Sequence, residues 1–112
     1  MTLVDTSVWI EFFRSGNQKL EQLLDAGSVL MHPFILGELA CGNLKPRGQI
    51  LEDLHALPAA VVAQDAEVLY FIEQHQLMGE GIGYLDAHLL VSTRLSVDAH
   101  LWTCLLYTSP SP

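Results

Sequence analysis

The chain opens on a short apolar run that ends in an acid and two hydroxyls, Leu3-Val4-Asp5-Thr6-Ser7. It passes directly into an apolar pattern at helical spacing carried by Val8, Ile10, Phe12 and Phe13. This predicts a β-strand that delivers Asp5 to its C-terminal tip, with Thr6 or Ser7 placed to cap the following helix. In open α/β sheets ligands bind at such tips. Asp5 is then either a metal ligand or base in a site, or a turn and capping residue.

The same alternation of short apolar runs and helical patterns recurs along the chain. Ser7 to Arg14 reads as a short helix that Ser15-Gly16-Asn17 breaks, Lys19 to Ala26 resumes the helical pattern until Gly27 closes it, and Ser28 to Met31 predicts a second strand. Pro33 fits a first helical position before Phe34 to Cys41, and Ile50 to Leu57 forms another helix that Pro58 stops. Ala60 to Ala63 reads as a third strand, Asp65 to about Gln76 as a helix, Tyr84 to Leu95 as the last helix and Ala99 to Thr103 as a fourth strand. Strands alternating with helices imply an α/β domain, a parallel sheet covered on both faces. Gly79, Gly81 and Gly83 are spaced differently from a dinucleotide fingerprint and read as a flexible turn.

Length and composition bound the function. At 112 residues, half of them hydrophobic, the chain is one folded domain rather than a disordered segment. No apolar run approaches the roughly 18 residues that span a bilayer. No cationic leader with an apolar core is visible, so a cytoplasmic location is expected. Cys41 and Cys104 have neither metal spacing nor a disulfide framework. The net charge of −8, with only Arg14, Lys19, Lys45, Arg47 and Arg94 as cations, argues against strong nonspecific nucleic-acid binding. It is compatible with a site whose surplus carboxylates are neutralised by a divalent metal.

Two further acids give Asp5 meaning. Glu38 is the sole charge in Phe34-Ile35-Leu36-Gly37-Glu38-Leu39-Ala40, so it borders or interrupts a buried face, where a carboxylate needs a partner or a metal. Asp86 falls in the first turn of its helix, where the helix dipole favours an acid whatever its function. Three acids from three segments beside strand tips and helix starts can converge on one cleft. Hard carboxylate oxygens suit Mg²⁺ or Mn²⁺, and metal-assisted phosphodiester hydrolysis is the reaction class that follows. The five histidines show no metal-binding pairing, and His88, the one nearest the acids, reads as a polar helix-surface residue. Trp9, Phe12 and Phe13 read as core or a dimer surface rather than as a stacking platform for RNA, and Arg14 as a solvated charge.

The blocks LVDTSVWIEFFR, HPFILGELACGNL and GIGYLDAHLLVSTRLSVDAHLWT, in that order, resemble the PIN-domain ribonucleases, in particular the VapC toxins of type II toxin–antitoxin pairs. The resemblance covers Met1 to Thr103. It implies a three-layer α/β/α fold and a Mg²⁺- or Mn²⁺-dependent endoribonuclease acting on RNA. It also implies inhibition by a cognate antitoxin, and a homodimer is expected. By the same resemblance Asp5 and Asp86 are metal ligands, Glu38 is a ligand or base positioner, and Ser7 is the hydroxyl that supports the first acid.

The chain departs from that pattern at its end. After the LWT block the family carries a basic residue and then the last acid of the site, where this sequence has Cys104 and Leu105. Asp98 precedes its strand and is expected at the opposite end of the sheet, so it is no substitute. Residues 104–112 can be encoded by a transposon-end adapter of the kind used in DNA library preparation, read in frame. The expected division is therefore a PIN-like domain over 1–103, lacking the closing helix and edge strand, and a non-native tail over 104–112. Impaired catalysis is the expected consequence. A receiver domain would need a second acid beside Asp5 and an acceptor near Ala63, and a haloacid-dehalogenase-type phosphatase would need an acid at Ser7. The remaining rival is a nuclease-inactive module that only binds a partner or RNA.

Overall fold

The computed structural model describes residues 1–103. The tail 104–112, including Cys104 and Leu105, lies outside the described residues. The centre of the fold is β1, Thr2–Val4, whose Leu3 and Val4 are fully buried. β2, Val29–Leu30, pairs with one side of it in parallel, Leu3 opposite Leu30. β3, His100–Trp102, pairs with the other side in parallel, Leu3 opposite Leu101. Parallel neighbours require crossover connections, and the helices supply them. α1 (Thr6–Ser15) and α2 (Gln18–Asp25) join β1 to β2. α3 (Pro33–Ala40), α4 (Arg47–His55), α5 (Asp65–Gln74) and α6 (Tyr84–Leu95) precede β3. The small α/β fold expected from the sequence is the fold observed.

The helix boundaries follow from local chemistry. Gly16 ends α1 at φ +79°, a conformation that costs a side-chain-bearing residue, and Asn17 then caps α2 by accepting from Leu20 N at 3.0 Å. Pro33 opens α3, and the ring of His32 serves as its cap, Nδ1 accepting from Phe34 N at 3.0 Å. The main core packs Leu3, Val4, Trp9, Leu20, Ile35 and Leu89 around the sheet. A second cluster of Val68, Phe71, Ala87 and Leu90 joins α5 to α6. Trp9 is buried, stacked on Phe13 and edge-on to Phe12, so the core reading of these aromatics holds.

The expected strand at Ala60–Ala63 does not form. Only one bridge links Met31 to Ala59, with Met31 N donating to Pro58 O and Ala60 N to Met31 O. Beyond it the alternate N–H groups turn to α6: Val61 N donates to Ser96 Oγ at 3.0 Å and Ala63 N to Ser92 Oγ at 3.2 Å. Two serines one helical turn apart thus take the donors that a neighbouring strand would have used. The sheet consequently has three strands among the described residues, ordered β2-β1-β3, and the segment after α6 supplies the third rather than a fourth.

Parallel pairing gathers the strand tips at one end. Asp5 and Thr103 stand there: the Asp5 N–H donates to Trp102 O at 2.9 Å, and the Thr103 hydroxyl donates to Asp5 Oδ2 at 3.0 Å. Asp98 stands at the other end, its carbonyl accepting from the Met1 amino group at 3.0 Å, as expected. Among the described residues no helix is long and apolar enough to cross a membrane.

Candidate active site

Asp5 is both a capping residue and a buried acid. It is 8% exposed and is itself the N-cap of α1, a correction to the expectation that Thr6 or Ser7 holds that position. Its Oδ1 accepts from Thr6 N at 2.8 Å, and its Oδ2 accepts from Thr103 Oγ1 at 3.0 Å and from Ser7 Oγ at 3.3 Å. Three donors, two at the start of α1 and one just after β3, therefore fix the plane of the carboxylate. Buried acids are stable only when so satisfied. Ser7, expected from the family resemblance to support the first acid, is one of these donors. Thr103, the last described residue, is a supporter that strand periodicity did not reveal, because only the pairing of β3 with β1 brings it to Asp5.

Thr6 connects the first acid to the second. While its N–H holds Asp5, its hydroxyl donates to Glu38 Oε1 at 2.6 Å. Glu38 is exposed on α3 and does not interrupt the buried face, which Ile35 and Leu39 supply. The sequence carried a signal for Thr6 in the hydroxyl beside Asp5, but the partner across the cleft depends on how α1 packs on α3.

Asp86 completes the group from the first turn of α6, half-buried. Burial pushes its carboxyl above the usual carboxylate range, the Gly83 N–H bond works the other way, and the charges of Asp5 and Glu38 push it up further. The three acids therefore lie in one electrostatic neighbourhood. Asp86 also fills the helix-start role, since the Gly83 N–H is that of the residue capping α6. Among the described residues no three His, Cys, Asp or Glu side chains are close enough to cage a single ion. The donor set itself, three hard carboxylates that repel one another, is the chemistry a divalent cation relieves.

Beside the acids lies a histidine network that sequence reasoning missed. His88 is buried rather than on the helix surface. Its Nε2 meets Asp65 Oδ1 at 2.9 Å, and Tyr84 donates its hydroxyl to the same oxygen at 2.8 Å. The Tyr84 bond and then the His88 bond hold the Asp65 carboxyl below its ordinary range. His32 is fully buried, its Nε2 3.1 Å from Ser92 Oγ on α6, and burial followed by the nearby His88 drives its pKa down to about 4.

The cations are mostly committed elsewhere. Arg14 faces Glu11 at 3.7 Å, and Lys19 and Arg94 each lie 5.4 Å from a ring centroid, those of Trp102 and Phe71. Arg47 donates to the carbonyls of Gly42 and Ala40.

No protein-family model matches the chain. Two curated relatives do, both named Ribonuclease VapC32, from two strains of Mycobacterium tuberculosis. Each is 42% identical over 103 residues, covering 92% of this chain and 83% of the relative. With that identity over nearly all of an α/β fold whose strand tip carries Asp5 beside Glu38 and Asp86, the chain belongs to the VapC family of ribonucleases.

Proposed function

We propose that the chain is a metal-dependent endoribonuclease of the toxin type, with Asp5, Glu38 and Asp86 facing Mg²⁺ or Mn²⁺ at the tip of β1. The observation that carries this reading is geometric: Thr6 holds Asp5 with its N–H and Glu38 with its hydroxyl at the tip of β1, and Asp86 enters the same neighbourhood from the first turn of α6. A bound divalent ion polarises a phosphoryl oxygen and lowers the pKa of its water. The protein does the rest. Asp5 is oriented by Thr6, Ser7 and Thr103, Glu38 is held by the Thr6 hydroxyl, and Asp86 is placed half-buried at the start of α6 with the Gly83 N–H bonded to it.

An RNA substrate and an inhibitory antitoxin protein accompany the family reading, and cytoplasmic action follows from the substrate. A homodimer is consistent with apolar side chains left exposed, Ile10 among them. Leu105 stands where the resemblance puts a further acid, so we infer a weaker hold on metal and reduced turnover in this chain. The test is cleavage of single-stranded RNA by the purified chain with Mg²⁺, with Mn²⁺ and with a chelator. Metal-dependent cleavage lost in both Asp5→Asn and Asp86→Asn is expected. RNA binding with no cleavage under any metal would favour the nuclease-inactive module instead.

A further inference from the structure

A shallow groove of about 550 Å³ runs beside the acids, lined by Pro33, Phe34, Gly37, Glu38, Cys41 and Leu85. One acid of the site lines it and a second is next in sequence to a lining residue. Glu38 lies on the α3 wall, and Leu85 on the other wall immediately precedes Asp86. We propose that this groove receives one unpaired nucleobase of the RNA, stacked on Phe34 next to the phosphate held at the acids, a proposal that rests on reading those acids as the phosphodiester site.

Three observations support that occupant. Phe34 is 39% exposed, yet its ring is held in edge contacts between His32 at 5.0 Å and His88 at 4.9 Å. An exposed aromatic face already fixed in place loses little freedom when a base covers it. Gly37 lies one turn along α3 from Phe34, and a Cβ built there would meet nothing within 4 Å. A glycine inside a helix weakens it, and here no neighbour within the protein requires the missing side chain. The bare backbone leaves room beside the ring for something flat from outside. The third observation is charge. In a chain of net charge −8 with five Lys and Arg, four of those cations face the protein's own acid, rings or carbonyls. RNA held without a cationic surface needs contacts other than phosphate pairing, and base stacking is the contact this groove offers. A base paired inside a duplex does not reach such a groove, so the substrate class is single-stranded or looped RNA.

The test is photo-crosslinking of the full chain to a single-stranded RNA carrying 5-iodouridine, with Ca²⁺ in place of Mg²⁺ so that turnover is not required. Steady-state cleavage with Mn²⁺ runs in parallel. The adduct is expected on Phe34. Gly37→Leu, which fills the groove and favours the helix, should reduce the adduct at least tenfold and raise KM about tenfold with kcat within twofold. Phe34→Ala should act likewise, and Phe34→Trp should restore KM. An adduct mapped elsewhere, or an unchanged KM in Gly37→Leu, overturns the proposal. So does a dimer that Gly37→Leu dissociates, since a second copy would then be the occupant. Absence of cleavage with a Phe34 adduct intact would instead count against the nuclease reading and leave the base subsite standing.

Discussion

The Thr6 hydroxyl donates to Glu38 Oε1 at 2.6 Å, so a residue chosen by local sequence to start a helix also sets the position of an acid 32 residues away. The same residue's N–H holds Asp5 at 2.8 Å. Thr6 thereby fixes the spacing of the first two acids, and its backbone and side-chain roles are separable by mutation.

Thr6→Val keeps the backbone donor and the branched shape but removes the hydroxyl. A hydrogen bond to a charged group contributes about 1.5–3 kcal/mol, and an exposed one sits at the low end. The expected result is a fall in kcat of about tenfold, with a melting temperature lowered by several degrees. Equal kcat in Thr6→Val and the unaltered chain would mean that Glu38 does not need Thr6.

Asp86 is held above its ordinary range first by burial and then by the charges of Asp5 and Glu38. The folded chain therefore retains a proton there that the unfolded chain has released. By linkage, the site's contribution to stability falls as pH rises from the ordinary carboxylate value through the raised one. Asp86→Asn removes both the desolvation cost and the repulsion. It should raise the melting temperature at pH 7, while Mn²⁺ affinity and cleavage both collapse. Calorimetry showing a lower melting temperature for Asp86→Asn at neutral pH would contradict the repulsion account.

The elements that sequence revealed are those whose signals are local. Asp5 at its strand tip, Pro33 opening α3 and α6 over Tyr84–Leu95 all depend on neighbours within a turn or two. What stayed hidden depends on contacts distant in sequence. Ala60–Ala63 has a strand's apolar pattern, and it is Ser92 and Ser96, about 30 residues on, that divert its N–H groups. His88 looks like a surface residue by hydrophobicity, but its ring is buried among Phe34 and Tyr84 with one nitrogen on Asp65. Thr103 joins the site only because β3 lies beside β1. No short-range pattern encodes any of these.

Leu105 follows Thr103 by two positions, at the place where the family resemblance puts an acid. Leu105→Asp should add a fourth carboxylate to the set. Adding negative charge strengthens attraction for a hard dication, and the gain is largest where the existing acids already repel. Calorimetric titration with Mn²⁺ is expected to show affinity increased several-fold, with a parallel rise in cleavage rate. An unchanged Mn²⁺ isotherm in Leu105→Asp would show that metal binding does not depend on that position.

His32 links the helices that carry the second and third acids, and its protonation state decides whether the link holds. Nδ1 accepts from Phe34 N at the start of α3, so the ring's proton belongs on Nε2, which donates to Ser92 Oγ on α6. Adding a second proton sets an N–H against the Phe34 N–H, and the fully buried ring has no water to compensate. Burial, and then the charge of His88, accordingly lowers the pKa from 6.5 to about 4. Below pH 6.5 the unfolded chain takes up this proton and the folded chain does not. Stability must therefore fall as pH drops from about 6.5 toward 4, by at most about 1.4 kcal/mol per pH unit and about 3 kcal/mol in all. His32→Asn retains a capping acceptor for α3 and abolishes the titration. Denaturant melts at pH 7, 6, 5 and 4.5 should show the unaltered chain losing its advantage over His32→Asn steadily through that range. A constant stability difference across these pH values would mean that His32 is not the titrating group. At pH 7 the variant should also cleave several-fold more slowly, because the ring that ties α3 to α6 holds Glu38 and Asp86 in register across the cleft.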